Sequence, residues 1–199
     1  MAWLTSDDSR IGLGCMRLPS DASATVHAAL EAGVTVFDTA HAYGDNEKRL
    51  GRWLSEHPLG ARARVVTKGG LIRVGEEWRN DARAKALVAQ CTASREALGR
   101  DIDLYLLHAV DPRVSLTTSM RALEALRRDG VVRAIGVSNV TRAQLEEAAA
   151  VAQVSAVQLS LSVFDDGAVK SGVLARARWS LASRCSATRR SAARSARSR

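Results

Sequence analysis

The sequence predicts an α/β protein in which parallel strands form an incomplete (β/α) barrel of the TIM type. The chain has 199 residues and is 46% hydrophobic, which is enough for one domain with a buried core. Short apolar runs alternate with longer stretches of helical pattern, as in right-handed βαβ units. Most of these runs are continuously apolar, as expected of parallel strands that are buried on both faces.

Six strands and five helices are expected to alternate along the chain. The strands are predicted at residues 10–15, 34–38, 64–68, 102–108, 132–137 and 154–160. The helices are predicted at residues 22–32, 46–56, 80–98, 115–129 and 142–152. Ser115 and Thr141 are suited to begin helices, while Gly33 and Gly130 are suited to end them.

Two architectures fit this alternation, an open doubly wound sheet and a closed barrel. The first strand leads into Gly12-Leu-Gly14, but a dinucleotide-binding fingerprint needs a third glycine or alanine where Arg17 stands. Polar residues end several of the other strands: Asp38, Lys68, His108 and Ser138. The carboxyl ends of the strands carry the active site of a barrel, so this placement favours the barrel.

The formal net charge of +8 comes from the C-terminal segment. Residues up to Asp166 hold 20 bases and 21 acids, whereas the residues after it hold nine bases and no acid. A nucleic-acid partner is not expected, because its positive surface should run through the folded body. Three cysteines at no ligand spacing predict no metal site and a reduced, cytoplasmic setting. Neither a signal peptide nor a membrane span is expected.

Asp38 and Lys68 end successive buried strands, where either charge alone would be costly. The two are therefore expected to pair, either as a structural salt bridge or within a catalytic site. A lysine near Tyr43 would lower the pKa of the phenol, which could then protonate a carbonyl oxygen. His108 could donate a hydrogen bond to the same oxygen, although a lone histidine is more often structural.

The segment Phe37-Asp-Thr-Ala-His-Ala-Tyr-Gly44, followed by Asn46-Glu47, is similar to the signature of the aldo-keto reductases. Four further motifs then follow in the order of that family: a lysine after a short apolar strand, a Leu-Leu-His strand, Gly136–Asn139 and Val157-Gln158. The resemblance covers roughly residues 10–175. It implies a barrel oxidoreductase that reduces an aldehyde or ketone, its small-molecule partner, with NADPH.

The resemblance implies roles for the residues of the site. Tyr43 would be the general acid, Lys68 and Asp38 would lower its pKa, and His108 would orient the substrate carbonyl. Three residues would bind the nicotinamide carboxamide: Ser138, Asn139 and Gln158.

Without the resemblance, the three proposed carboxamide-binding residues have a second interpretation. Ser138 and Asn139 could cap the following helix, and Gln158 could be a satisfied buried amide.

Residues 1–175 are predicted to form the partial barrel, and residues 176–199 a disordered tail. Of the 24 tail residues, 20 are Arg, Ser or Ala, a composition that cannot bury a core. A complete barrel has eight βα units in about 250 residues, so about two units are missing. Aldo-keto reductases bind the cofactor phosphates after their seventh and eighth strands, so little or no activity is expected of this chain.

A shifted reading frame could produce such a tail. With GC-rich codons, residues 187–194 read from their third codon base encode His-Ser-Pro-Leu-Gly-Gly-Pro, which resembles the seventh-strand motif of the family. Two other functions remain open. One is a non-catalytic binding or regulatory protein on the same scaffold, and the other is a nucleic-acid binder that uses the basic tail.

Overall fold

The fold is built on one parallel sheet, seen in a computed structural model that describes residues 3–162, 165–180 and 184–188. The strands are β1 (Gly12–Gly14), β2 (Val36–Asp38), β3 (Arg64–Gly69), β4 (Leu71–Val74), β5 (Glu77–Asn80), β6 (Ile102–Leu107), β7 (Val132–Ser138), β8 (Val154–Ser160) and β9 (Arg184–Thr188). Seven of them form the sheet in the order β1-β2-β3-β6-β7-β8-β9. Every pairing in this sheet is parallel.

Helices follow most of the strands, as predicted. They are α1 (Ser23–Glu31), α2 (Asn46–Ser55), α3 (Ala84–Leu98), α4 (Leu116–Arg128), α5 (Arg142–Val151), α6 (Gly167–Lys170) and α7 (Val173–Ser180). Short 3-10 turns lie at His41–Tyr43 and Pro58–Arg62. Within the described ranges, no helix is long and apolar enough to cross a membrane.

The sheet has two packing faces with different partners. Outward-facing residues such as Val65, Tyr105 and Ile135 join the helices in the main hydrophobic core. The inward-facing residues form a second cluster, to which no helical residue belongs in the described part of the chain: Trp3, Val66, Leu104, Leu106, Ala134 and Ala156. A doubly wound sheet would carry helices on both faces. Helices on one face therefore identify a barrel-type sheet, and the predicted incomplete parallel barrel is confirmed.

A hairpin follows β3, where the sequence analysis placed a loop and the start of a helix. β4 and β5 pair antiparallel around a turn at Gly75 and Glu76, and Gly75 has a φ of 61°. Two-residue hairpin turns require such positive φ values, which glycine adopts without strain. The helix predicted from residue 80 therefore begins at Ala84 instead, because Asn80 is still paired in the hairpin.

Part of the segment predicted as a tail from residue 176 lies within the described residues. α7 continues to Ser180 because Val173 and Ala177 are buried against the core, and Arg176 pairs with Glu146 of α5 at 3.2 Å. The backbone of residues 184–188 then pairs with β8 as a seventh strand. Residues 181–183 and 189–199 of the predicted tail lie outside the described residues.

Candidate active site

A buried ion pair lies at the carboxyl ends of β2 and β3. Lys68 Nζ is 2.7 Å from Asp38 Oδ1 and also donates to the Thr39 carbonyl at 2.7 Å. The second carboxylate oxygen, Asp38 Oδ2, accepts a hydrogen bond from Gln158 Nε2 at 2.7 Å. Lys68 is 1% exposed, so these partners replace the water that its ammonium loses. The expected pairing of Asp38 with Lys68 is present in the structure.

Tyr43 ends the 3-10 turn that follows β2, and its ring lies beside this ion pair. Lys68 Nζ is 5.6 Å from the centroid of the Tyr43 ring. The predicted fall in the pKa of the phenol is not found. Burial raises its pKa well above the usual value, and the nearby Asp38 carboxylate raises it further. The prediction was wrong chiefly because the phenol is buried, and the nearby Asp38 carboxylate adds to the rise in its pKa, so the phenol keeps its proton.

His108 follows β6 and faces Tyr43 from the other side. The two ring centroids are 5.7 Å apart at an interplanar angle of 80°. Burial, and then the charge of Lys68, lower the pKa of His108 to about 3. The imidazole is therefore neutral at physiological pH and carries one N–H. Its buried Nδ1 atom has no hydrogen-bond partner among the described residues.

The three residues expected to bind the nicotinamide come together at the ends of β7 and β8. Ser138 and Gln158 are paired in register, and the Asn139 amide N–H donates to the Gln158 carbonyl at 3.1 Å. Asn139 Nδ2 donates to the His108 carbonyl and to Ser138 Oγ, both at 3.1 Å. Within the described residues, the side-chain oxygens of Asn139 and Gln158 accept no hydrogen bond, which fits binding of an external amide N–H.

The alternative role of Ser138 and Asn139 as helix caps is excluded by the start of α5. Thr141 is the N-cap residue, and its hydroxyl accepts a hydrogen bond from the Gln144 amide at 3.2 Å. The Gln144 side chain accepts a hydrogen bond from the Thr141 amide in return at 2.9 Å. This capping box satisfies the first turn. Asn139 has a φ of 55°, so it lies outside the helix in a turn at the end of β7.

Trp78 of the hairpin also contacts the site. Its ring meets the Tyr43 ring edge-on, with the centroids 6.2 Å apart, and the Arg73 guanidinium lies 5.6 Å from the Trp78 ring centroid. Trp78 is 43% exposed. It therefore borders the open side of the site. His41, between Asp38 and Tyr43 in the chain, is half-buried, and burial lowers its pKa.

No cluster of three or more metal-ligating side chains occurs in residues 3–162, 165–180 and 184–188. The site is instead composed of proton-transfer and hydrogen-bonding groups at the carboxyl ends of neighbouring parallel strands. A barrel-type sheet with an acid, a lysine, a tyrosine and a histidine at this end defines a class of barrel proteins, in which active sites lie at the carboxyl ends of the strands.

The comparisons with known proteins agree with this class. The model of the Aldo/keto reductase family matches residues 10–180, and the chain belongs to the aldo-keto reductase family. It is 35% identical over 138 residues to "Aldo-keto reductase str7" of Strobilurus tenacellus, covering 69% of this chain and 40% of that protein. It is 31% identical over 174 residues to "Aldo-keto reductase YhdN" of Bacillus subtilis, covering 79% and 51%.

Solved structures give the same family. The glycerol dehydrogenase AKR11B4 from Gluconobacter oxydans superposes with a TM-score of 0.81 at 31% identity, covering 89% of this chain and 59% of that one. The aldo-keto reductase AKR11C1 from Bacillus halodurans gives 0.76 at 26% identity, covering 85% and 59%. This chain spans about half the length of the curated relatives it matches.

Proposed function

We propose that the completed protein reduces an aldehyde or ketone with NADPH, using Tyr43 as the proton donor. The observation that carries this proposal is the position of the Tyr43 phenol between the Lys68–Asp38 ion pair and the neutral His108 ring. A purely structural salt bridge would not require a protonated phenol and an unpartnered imidazole beside it. The substrate is a small carbonyl compound, held on the side of the site that Trp78 borders.

Proton delivery follows from these residues. A carbonyl oxygen placed between Tyr43 and His108 gains negative charge as its carbon is reduced, and the His108 N–H stabilises that charge by a hydrogen bond. The Tyr43 hydroxyl proton moves to this oxygen. The phenolate left behind is stabilised by the Lys68 ammonium, which is oriented by Asp38 and by the Thr39 carbonyl. The phenol is then reprotonated from solvent.

Three residues would hold the cofactor at its reactive end. The free side-chain oxygens of Asn139 and Gln158 accept the carboxamide N–H2 group, and the Ser138 hydroxyl lies beside them. When bound, the reduced nicotinamide supplies the hydride. Binding of the carboxamide in this way keeps the hydrogen bond from Gln158 Nε2 to Asp38, so the ion pair is not disturbed.

A Tyr43→Phe substitution tests the proton donor in a protein whose reading frame is restored after residue 175. Turnover is expected to fall below detection while the Kd for NADPH changes little, because the ring is kept and only the hydroxyl is lost. Tyr105→Phe is the matched control. Tyr105 is the second of two tyrosines, and its hydroxyl donates to the Leu87 carbonyl away from the site, at 3.3 Å. Activity that persists in Tyr43→Phe would contradict the role of Tyr43 as proton donor.

The chain as it stands is expected to bind NADPH weakly and to show little or no turnover. Its candidate cofactor residues hold only the carboxamide. The family binds the cofactor phosphates after its seventh and eighth strands, and of these two the structure describes only the seventh, β9. Hydride transfer is sensitive to position, since a misplacement near 1 Å can cost on the order of 100-fold. Fluorescence titration with NADPH measures the affinity. Micromolar binding by the 199-residue chain would contradict this expectation, and the nucleotide sequence of codons 170–199 would decide the reading-frame hypothesis.

The free thiols support a reducing, cytoplasmic setting for this activity. Cys15 and Cys91 are both buried and unpaired by disulfides. Burial raises the pKa of each thiol to about 12, so neither is a reactive nucleophile at physiological pH.

A further inference from the structure

The proposed proton donor is carried by a loop whose two ends are joined by a side-chain hydrogen bond. We call residues 39–46 the Tyr43 loop. The Thr39 hydroxyl, at one end, donates to Asn46 Oδ1, at the other end, over 2.6 Å. Between them, the Tyr43 amide donates to the Ala40 carbonyl at 3.0 Å. Thr39 is 0% exposed and Asn46 2% exposed, so water does not compete for this bond.

The same two residues connect the Tyr43 loop to β3 and to the end of β1. The Thr39 carbonyl accepts the hydrogen bond from Lys68 Nζ, and the Thr39 amide donates to the Val66 carbonyl of β3 at 2.8 Å. Asn46 Nδ2 donates to the Cys15 carbonyl at 2.7 Å, just after β1. The hydrogen bond between Thr39 and Asn46 therefore fixes the loop relative to the lysine that Tyr43 faces.

We propose that Asn46 and Thr39 are positioning residues for Tyr43, and that their hydrogen bond holds the phenol against Lys68 and away from bulk water. The inference rests on the proposed function only in giving Tyr43 the role of proton donor. Neither positioning residue touches the reacting atoms. Without the bond, the bonds of Thr39 to β3 and of Asn46 to the Cys15 carbonyl still hold each end of the loop separately, and the local backbone turn between Ala40 and Tyr43 remains. The two ends are then no longer joined to each other, and the phenol is free to turn outward.

The ionisation of Tyr43 reports its position without any need for activity. In the intact site, burial raises the pKa of the phenol, whereas an exposed tyrosine ionises near pH 10. The charged or titratable groups beside the ring come from β2, β3 and the end of β6: Asp38, Lys68 and His108. The Arg73 guanidinium of the hairpin lies against Trp78, whose ring contacts that of Tyr43. A Thr39→Val substitution removes none of them, so a change in ionisation reports movement of the phenol.

The experiment uses the full chain with Tyr105→Phe, which leaves Tyr43 as its single tyrosine, since the chain has two. Phenolate absorbance near 295 nm is followed against pH, with circular dichroism recorded on the same samples. The parent is expected to show no phenolate until it unfolds. Thr39→Val is expected to ionise near pH 10 while still folded, and Thr39→Ser, which keeps a hydroxyl, is expected to behave like the parent.

Thr67→Val is the matched control. The Thr67 hydroxyl is equally buried and donates to the buried Glu47 carboxylate, but it lies outside the Tyr43 loop. Phenolate formation in folded Thr67→Val, or its absence in folded Thr39→Val, would overturn the inference. If Thr39→Val does not fold, phenolate formation is measured in Asn46→Ser instead, with the same expected result. If neither variant folds, the bond serves folding rather than placement of Tyr43, and the inference is overturned. The proposed function is tested separately, by turnover in Tyr43→Phe.

Discussion

His108 illustrates how burial sets the chemistry of a single side chain. Its pKa of about 3 lies far below the ordinary value of 6.5, so the unfolded chain binds a proton between these two pH values and the folded chain does not. The contribution of His108 to stability is therefore complete above pH 6.5 and is lost as the pH falls towards 3. The free energy of unfolding is expected to fall by up to about 1.4 kcal/mol per pH unit across this window because of this residue alone.

Denaturant unfolding at a series of pH values, with wild type and His108→Gln compared, isolates this contribution. The variant keeps a polar side chain but does not titrate, so its stability should depend less on pH between 3 and 6.5. His57→Gln makes the same substitution at a histidine outside the site, beside Glu31, and serves as the control for the change of side chain. A wild-type His108 signal that titrates near pH 6.5 in NMR would contradict the buried neutral imidazole.

The individual site residues could be predicted from sequence because each of them ends a strand or follows one. Parallel strands bring their carboxyl ends to one edge, so Asp38, Lys68 and His108 had to converge once the strands were identified. The pKa of Tyr43 could not be predicted in the same way. Its direction depends on how far Asp38 compensates Lys68 and on how deeply the ring is buried, and neither is encoded in the spacing of residues.

At the scale of elements, the hairpin is the main feature missing from the sequence-based prediction. A signal was present, since Gly75 and Glu76 separate two short stretches of mixed polarity, as in a two-residue hairpin turn. The stretches are mostly exposed, and they lack the apolar run that identified the other strands. For the same reason, the helix predicted from residue 80 overlaps the end of the hairpin at Asn80.

A buried carboxylate connects the hairpin to the loop after β6 through hydrogen bonds. Asp111 is 2% exposed and accepts hydrogen bonds from the Arg113 backbone and guanidinium at 3.0 Å. The guanidinium also donates to the Asn80 carbonyl at the end of β5. Asn80 Nδ2 donates in turn to the Val110 carbonyl at 3.1 Å. These bonds connect the hairpin that carries Trp78 to the loop that follows His108.

Asp111→Asn is expected to loosen the hairpin. Hydrogen bonds from Arg113 lower the pKa of Asp111 to about 2, so the carboxylate is charged at neutral pH, and an amide cannot replace that charge. Amide hydrogen exchange of residues 71–80 should accelerate severalfold in the variant. In wild type, the contribution of Asp111 is present above its ordinary pKa near 4 and is lost as the pH falls through about 2.

Asp101→Asn is the control for this experiment. Asp101 forms an exposed ion pair with Arg95 at 3.1 Å, and exposed pairs contribute only about 0–1 kcal/mol. Exchange in the hairpin should be unchanged in this variant. Equal exchange rates in wild type and Asp111→Asn would show that the strand pairing of the hairpin alone holds it in place.

At the scale of the whole molecule, the inward face of the sheet depends on one N-terminal side chain. Trp3 is 8% exposed and packs on the inward-facing residues of β3, β6, β7 and β8. Removing a buried tryptophan side chain costs about 3–5 kcal/mol, so Trp3→Ala should lower the free energy of unfolding in urea by an amount in this range. The sequence analysis assigned no role to this residue, because it lies outside the predicted strands.

Two further variants show whether Trp3 acts by packing. Trp78→Ala makes the same change at a side chain that is 43% exposed and should cost much less. Trp3→Phe keeps an aromatic ring and removes an indole N–H that has no partner in the described part of the chain, so it should retain most of the stability. Equal losses in Trp3→Ala and Trp78→Ala would contradict a packing role for Trp3.

The proposed proton-transfer groups all lie between residues 38 and 108, on the neighbouring strands β2, β3 and β6. The residues that would grip the nicotinamide follow on β7 and β8. A genetic crossover between β6 and β7 would therefore exchange the proposed nicotinamide-binding residues between relatives in a single event, while the proposed acid–base half was inherited unchanged. Chimaeras joined in α4 would show whether new reductases can be assembled from such halves.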